Sequence, residues 1–164
     1  MQTKVKKLLS LAREIAARDA EFHSVKGPGA GDRATSQFMQ ELRDRAIAEY
    51  GKDYAEARLC GENSLAVDYY FPDEETIVEI ALGLPNPASE FEKDVLKALM
   101  AKELNHKVEH LLFISRPGAI KKCGQPGRSA VIEWAAAKHA LKVEVQELEG
   151  KPRPSRRRRR SELA

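Results

Sequence analysis

The chain has 164 residues, of which 42% are hydrophobic and 32% charged, which is typical of a globular protein and excludes wholesale disorder. This length predicts a single domain with a sizeable hydrophobic core. The formal net charge is +3, but Arg153 and the arginines at 156–160 supply six positive charges, so the remainder is slightly acidic. Such a tail predicts a polyanionic partner, nucleic acid most often, although a solvated tail or a targeting signal would show the same charge.

Two features bear on the surroundings of the protein. No apolar run approaches the roughly 20 residues that a membrane-spanning helix needs, so no membrane association is expected. Cys60 and Cys123 have no metal-ligand spacing, and no secretory signal precedes the first predicted helix. We therefore expect reduced thiols in a cytoplasmic protein.

The first 31 residues predict an N-terminal helix followed by a linker. Residues 3–22 carry an apolar stripe at helical spacing and a basic opposite face, which indicates an amphipathic helix. Residues 26–31, KGPGAG, are rich in glycine. Since no Lys-Ser or Lys-Thr pair follows and no strand precedes them, they predict a linker and not a phosphate-binding loop.

The predicted core domain, residues 32–149, begins with a helix over 32–50 and a short strand around 57–60. Asp32 is the expected N-cap and Gly51 the expected C-cap of this helix. Two further strands, 65–71 and 76–82, flank the turn 72–75. Next, Ser89 with Glu92 three residues later predicts a capping box for a helix that reaches residue 104.

The second half of the core alternates strands with helices. The apolar run 110–115 predicts a strand covered on both faces, and 142–148 alternates as an edge strand does. A helix is predicted over 129–141, and residues 150–164 are expected to be disordered. The loop 116–127 and the residue after it carry cations that suit either a phosphate-binding loop or ordinary solvated surface: Arg116, Lys121, Lys122 and Arg128.

The predicted order is α, α, β, β, β, α, β, α, β. A three-stranded meander followed by β-α-β-α-β predicts an α/β fold with a mixed sheet and helices on both faces. Asp68 and Glu79 lie among apolar residues of the two central meander strands. In a hairpin they can lie side by side and bind a hard cation, although either acid alone is also explained by an exposed sheet face.

This order, with Asp68 on one strand and Glu79-Ile80-Ala81 on the next, resembles the PD-(D/E)xK nuclease superfamily and its restriction-endonuclease-like fold over residues 32–148. The resemblance implies metal-dependent hydrolysis of phosphodiester bonds in nucleic acid, with DNA favoured over RNA as the substrate. It also implies a protein that forms homodimers. It implies that Asp68, Glu79 and the main-chain carbonyl of Ile80 bind Mg²⁺ or Mn²⁺.

The chain departs from the family pattern at Ala81, where the family usually has lysine. Some members supply that lysine from the following helix, where Lys93 and Lys97 are the candidates. The family also often adds a glutamate from the first core helix; spacing favours Glu41, whereas periodicity favours Glu49. The alternative is a protein that keeps the fold without catalysis and binds nucleic acid or acts as an assembly or regulatory subunit.

Overall fold

A computed structural model describes residues 2–19, 22–23, 30–86 and 89–149. Residues 26–29 of the predicted linker 26–31 and the arginine-rich tail predicted from residue 150 lie outside these ranges. The remaining linker residues, Ala30 and Gly31, and the expected N-cap Asp32 instead lie inside a helix, so these two predictions are wrong. Within the described ranges, none of the helices combines the length and apolar character needed to cross a bilayer. The elements are α1 Lys4–Arg18, α2 Ala30–Tyr50, β1 Ala55–Ala57, β2 Val67–Phe71, a 3₁₀ turn Pro72–Glu74, β3 Thr76–Ile80, α3 Phe91–Glu103, β4 His110–Ser115, α4 Ala119–Cys123, α5 Pro126–His139 and β5 Lys142–Glu147.

The five strands form one mixed sheet in the order β1-β2-β3-β4-β5. β1, β2 and β3 pair antiparallel, whereas β3, β4 and β5 pair in parallel. The helix-containing connections from β3 to β4 and from β4 to β5 are the crossovers that parallel pairing requires. The predicted α/β class, with a meander followed by β-α-β-α-β, is confirmed.

Helices cover both faces of the sheet, as predicted. On one face, α1 and α2 pack against side chains such as Tyr69 and Val78. On the other, α3 and α5 pack against side chains such as Ile77 and Phe113. Alternation along β3 and β4 therefore decides which helix layer the apolar side chains of these two central strands meet.

The N-terminal helix belongs to this core. Leu8, Leu11 and Ile15 of α1 are buried in the same cluster as Phe38 and Leu42 of α2. Each fully buried leucine contributes on the order of 2 kcal/mol by removal from water. We conclude that α1 is an integral layer of the fold.

Several predicted boundaries are wrong. β1 lies at Ala55–Ala57, before the predicted 57–60, and β3 ends at Ile80. The capping box is also wrong: α3 begins at Phe91 after Glu90, without a side-chain cap, and the Ser89 hydroxyl instead accepts a hydrogen bond from Arg128. A tertiary contact has thus replaced the local one.

The loop predicted over 116–127 contains the short helix α4, and α5 starts three residues earlier than predicted. Gly118, at a φ of 100°, precedes α4 in the left-handed conformation that glycine adopts without a steric penalty. Pro126 occupies the first turn of α5, where its missing N–H costs no helical hydrogen bond. The proline that signals a loop therefore starts a helix here.

Candidate active site

Asp68 and Glu79 lie beside each other on neighbouring strands. Tyr69 pairs with Val78 across β2 and β3, so one step further along this antiparallel register Asp68 comes opposite Glu79. Both acids alternate with Tyr69 and Val78 and therefore face the layer of α3 and α5. The Asp68 Oδ2 atom accepts a hydrogen bond of 2.7 Å from the Ile80 N–H, and the Glu79 residue is only 2% exposed.

Lys97 of α3 reaches these acids from the facing helix. Its Nζ atom lies 2.8 Å from Glu79 Oε1 and 2.9 Å from Asp94 Oδ1, and it donates a hydrogen bond of 2.9 Å to the Ala66 carbonyl. Lys97 is 7% exposed and Asp94 is 6% exposed. Because they are three residues apart on one helix, both side chains project from the same face of α3. We call the four side chains the acid–lysine cluster: Asp68, Glu79, Asp94 and Lys97. Three of them are buried, and Asp68 is partly exposed.

The acid–lysine cluster contains three carboxyl groups and one ammonium group, so it would carry two net negative charges if all were ionised. The pKa of Glu79 is raised to about 9, first by burial and then by the neighbouring Asp68 and Asp94 charges, which together outweigh the lowering by Lys97. Burial likewise raises the pKa values of Asp68 and Asp94. Burial alone would lower the pKa of Lys97, but its contacts with Glu79 and Asp94 outweigh burial and raise it, so Lys97 stays protonated. The cluster therefore favours additional positive charge.

The donor set suits a hard divalent cation. Glu79 Oε1 is buried without a hydrogen bond of normal geometry, although Lys97 Nζ lies near it. Since the Ile80 N–H points toward β2, the Ile80 carbonyl of the same strand residue points to that side too. In the described part of the chain, no three Asp, Glu, His or Cys side chains are grouped as a metal site. Mg²⁺, however, is commonly held by one or two carboxylates plus water and substrate phosphate, so Asp68, Glu79 and the Ile80 carbonyl fit it.

A hollow of about 400 Å³ opens beside Asp68 and Lys97. Asp68 is partly exposed at its wall, whereas Glu79 lies below the surface. The acid–lysine cluster is thus accessible from one side. The hollow is lined by Glu56, Arg58, Ser64, Leu65, Ala66, Val67, Asp68, Lys93 and Lys97.

The other predicted catalytic residues lie outside the cluster. Lys93 sits at the wall of the hollow, with its side chain 55% exposed and 3.5 Å from Glu90. Glu41 forms an ion pair with Arg18, in the α1–α2 layer on the opposite face of the sheet. Glu49, the alternative, is 3.8 Å from Lys7 of α1. The structure therefore brings Lys97 and Asp94 to the acid pair, and neither Lys93 nor Glu41.

Asp94 was not predicted from the sequence, and a signal for it exists. The buried face of α3 includes the small residues Ala98 and Ala101 together with Phe91 and Val95. When these alanines are counted as part of the buried face, the centre of that face shifts around the helix toward Asp94 and Lys97. When the buried face is defined by the larger apolar residues alone, both Asp94 and Lys97 fall on the polar side of the helix.

The four cations predicted to bind nucleic acid occupy different environments. Arg128 is 8% exposed and donates hydrogen bonds to the carbonyls of Leu84 and Asn86, the latter at 3.0 Å. Arg116 is also 8% exposed, lies 5.0 Å from the centre of the Phe22 ring and donates to the Phe22 carbonyl. Both arginines thus make protein contacts. Lys121 is exposed and Lys122 partly exposed on α4.

In comparisons with known proteins, no family model, no curated protein and no solved structure matches this chain. The functional argument therefore starts from the acid–lysine cluster and the hollow beside it.

Proposed function

We propose that this protein is a divalent-metal-dependent nuclease that hydrolyses phosphodiester bonds at the acid–lysine cluster. The observation that carries the proposal is the position of Lys97, whose ammonium group lies 2.8 Å from Glu79 Oε1 beside the Asp68–Glu79 pair. A buried lysine from the facing helix supplies the cation that Ala81 cannot. The restriction-endonuclease-like fold suggested by the strand order is part of this proposal, as are DNA as substrate and a homodimer as the assembly.

Each residue of the cluster has a distinct role in this proposal. Asp68, Glu79 and the Ile80 carbonyl would hold Mg²⁺ or Mn²⁺, which when bound polarises the phosphate and lowers the pKa of a coordinated water. Lys97, protonated and desolvated, stabilises negative charge that develops on the phosphate oxygens. Asp94 fixes the Lys97 side chain from 2.9 Å away and keeps the ammonium group oriented toward the sheet.

A second candidate function is nucleic-acid binding without catalysis. Lys97 already has three oxygen partners, on Glu79, Asp94 and Ala66, which favours a structural role for the cluster. Buried charged networks of this kind also occur as purely structural features. The arginines at 153 and 156–160 would then supply sequence-independent contacts to phosphates. This candidate predicts that divalent cations change neither stability nor any activity.

The test is metal-dependent cleavage of labelled single- and double-stranded DNA and RNA. Wild type would be compared with Asp68→Asn, Lys97→Met and the control Asp73→Asn, which removes an 80% exposed carboxylate from the same hairpin. We expect Mg²⁺- or Mn²⁺-dependent cleavage by wild type and Asp73→Asn, no cleavage by Asp68→Asn, and a loss of about 100-fold or more in Lys97→Met. Cleavage that persists in Asp68→Asn, or no cleavage by any variant at any metal concentration, would overturn the proposal.

A further inference from the structure

The hollow beside the acid–lysine cluster carries two cations that the cluster does not use. Arg58 follows β1, and its side chain is exposed except for a hydrogen bond of 3.0 Å from Nη1 to the Asn63 carbonyl. Lys93 lies one helical turn before Lys97 on α3, with its side chain 55% exposed. Both line the same hollow as Asp68. Two exposed cations beside the proposed metal-binding residues are suited to contact the phosphates that flank a reacting one.

Two acids, Asp68 and Glu56, line the hollow, and the excess negative charge on the Asp68 side is what a bound divalent cation would offset. Glu56, the other acid besides Asp68 in the wall, lies 3.2 Å from Arg43 Nη1. Its side chain is 72% exposed, so solvent also screens it. Glu56 thus has a cation of its own, whereas Arg58 has a neutral carbonyl as partner and Lys93 an exposed glutamate, Glu90, at 3.5 Å. These two cations can therefore exchange their present contacts for a phosphate.

The depth of the cluster restricts the shape of the substrate. Glu79 is 2% exposed and lies beneath the wall of a hollow of about 400 Å³, a volume within the range of small-ligand pockets. A phosphate approaches Asp68 and Glu79 from this hollow. A single strand bends readily to bring one phosphate there, whereas duplex DNA is stiff, with a persistence length of about 150 base pairs, and presents its backbone with less freedom.

We infer that the hollow binds single-stranded nucleic acid, with Arg58 and Lys93 contacting the phosphates next to the scissile one. This inference rests on the proposed nuclease function and adds the substrate class and two binding residues. It assigns Lys93 to substrate binding and not to catalysis, which Lys97 serves.

The test measures cleavage and binding of a labelled oligothymidylate against a blunt duplex of equal strand length, at several salt concentrations. Arg58→Gln and Lys93→Gln remove one cation each, and Arg58→Lys keeps the charge while losing the guanidinium contact to Asn63. Lys107→Gln is the control, because Lys107 is exposed and precedes β4, at the end of the sheet away from Asp68.

We expect wild type and Lys107→Gln to cut the single strand at least about tenfold faster than the blunt duplex. Arg58→Gln and Lys93→Gln should each raise KM. Each should also make the slope of log affinity against log salt concentration less steep by about 0.7, the value for one phosphate contact on a single strand. Arg58→Lys should retain the wild-type salt dependence.

Three outcomes would overturn the inference, and they differ from one another. Equal cleavage of strand and duplex by wild type would refute the substrate class. Arg58→Gln and Lys93→Gln that behave like Lys107→Gln would refute the binding residues. If no variant, including wild type, cleaves either substrate with metal, the proposed function itself fails and this inference fails with it.

Discussion

The excess of negative charge in the acid–lysine cluster predicts that Asp68→Asn stabilises the metal-free protein. The asparagine side chain has nearly the same shape, and its carbonyl oxygen can still accept the hydrogen bond that the Ile80 N–H donates to Asp68 at 2.7 Å. The substitution therefore removes a charge and little else. A residue placed for metal binding is expected to reduce stability when the metal is absent.

The size of the effect follows from the separation of the two acids. Side chains on directly opposed strand residues lie about 5 Å apart. At that distance two unit charges repel by about 3 kcal/mol with an effective dielectric constant of ~20. If Glu79 instead keeps a proton, holding a carboxyl group of normal pKa 4.5 neutral at pH 7 costs about 3 kcal/mol, but burial is the first cause of this pKa shift and Asp68→Asn recovers only the part that the Asp68 charge adds. The substitution also removes the attraction between the Asp68 charge and Lys97, which offsets part of this gain. We therefore expect a net increase of about 1–2 kcal/mol in the free energy of unfolding.

The assay is urea denaturation at pH 7, first with EDTA and then with saturating Mg²⁺. In EDTA, Asp68→Asn should be more stable than wild type. In Mg²⁺ at ~100 times its Kd, wild type should gain about 3 kcal/mol and the variant little, so the order of stability reverses. The control Asp73→Asn should match wild type within about 0.5 kcal/mol in both conditions.

The result that refutes this reasoning is an Asp68→Asn protein that is less stable than wild type in EDTA and unaffected by Mg²⁺. In that case the Asp68 charge would stabilise the fold through Lys97, and the cluster would be a structural network. A stabilised variant with no metal effect on wild type would support the electrostatic analysis and reject the metal site.

Three further predictions concern neighbouring side chains. Lys97→Met should lower the free energy of unfolding by about 3–5 kcal/mol, because it leaves buried acids unpaired, whereas Lys93→Met should change it by about 0.5 kcal/mol or less in the same urea assay. In the metal-free protein, folded Glu79 keeps a proton that the unfolded chain loses, so the free energy of unfolding should fall as pH rises from 4.5 to about 9. Urea titrations from pH 5 to 8 should show a weaker dependence of this free energy on pH for Glu79→Gln than for wild type. An equal pH dependence in the two proteins would contradict the buried-acid argument. Arg128→Met should lower the free energy of unfolding by about 2–4 kcal/mol, because the carbonyls that precede α3 lose a charged hydrogen-bond donor. Thermal and urea unfolding measure this change. An unchanged stability would show that the loop before α3 holds its position without Arg128.

Apart from the short helix α4, the element order and the sheet class could be predicted from the sequence because each depends on local patterns. Alternating and continuous apolar runs distinguish the exposed strand β5 from the covered strand β4, and glycine and proline mark most connections. The pairing of Asp68 with Glu79 also follows from local information, since a short turn leaves few registers for the hairpin. These features need no knowledge of distant parts of the chain.

The partners of that acid pair depended on tertiary structure. Which lysine faces the sheet is decided by the rotation of α3, and that rotation is set by close packing of Ala98 and Ala101, whose small side chains give a weak sequence signal. Glu41 has suitable spacing, but α2 packs on the opposite face of the sheet from Asp68. Arg128 looks like a surface cation in the sequence, yet burial requires it to bind the carbonyls that precede α3.

The sequence by itself therefore determined the order of helices and strands and the two strand acids, because hydrophobic periodicity and turn residues act over a few positions. Only the tertiary structure decided that Lys97 and Asp94 complete the cluster and that Glu41 and Arg128 do not contribute to it. The physical reason is that helix rotation and the choice of sheet face minimise the free energy of the whole packed core, a quantity to which residues far apart in the chain contribute together.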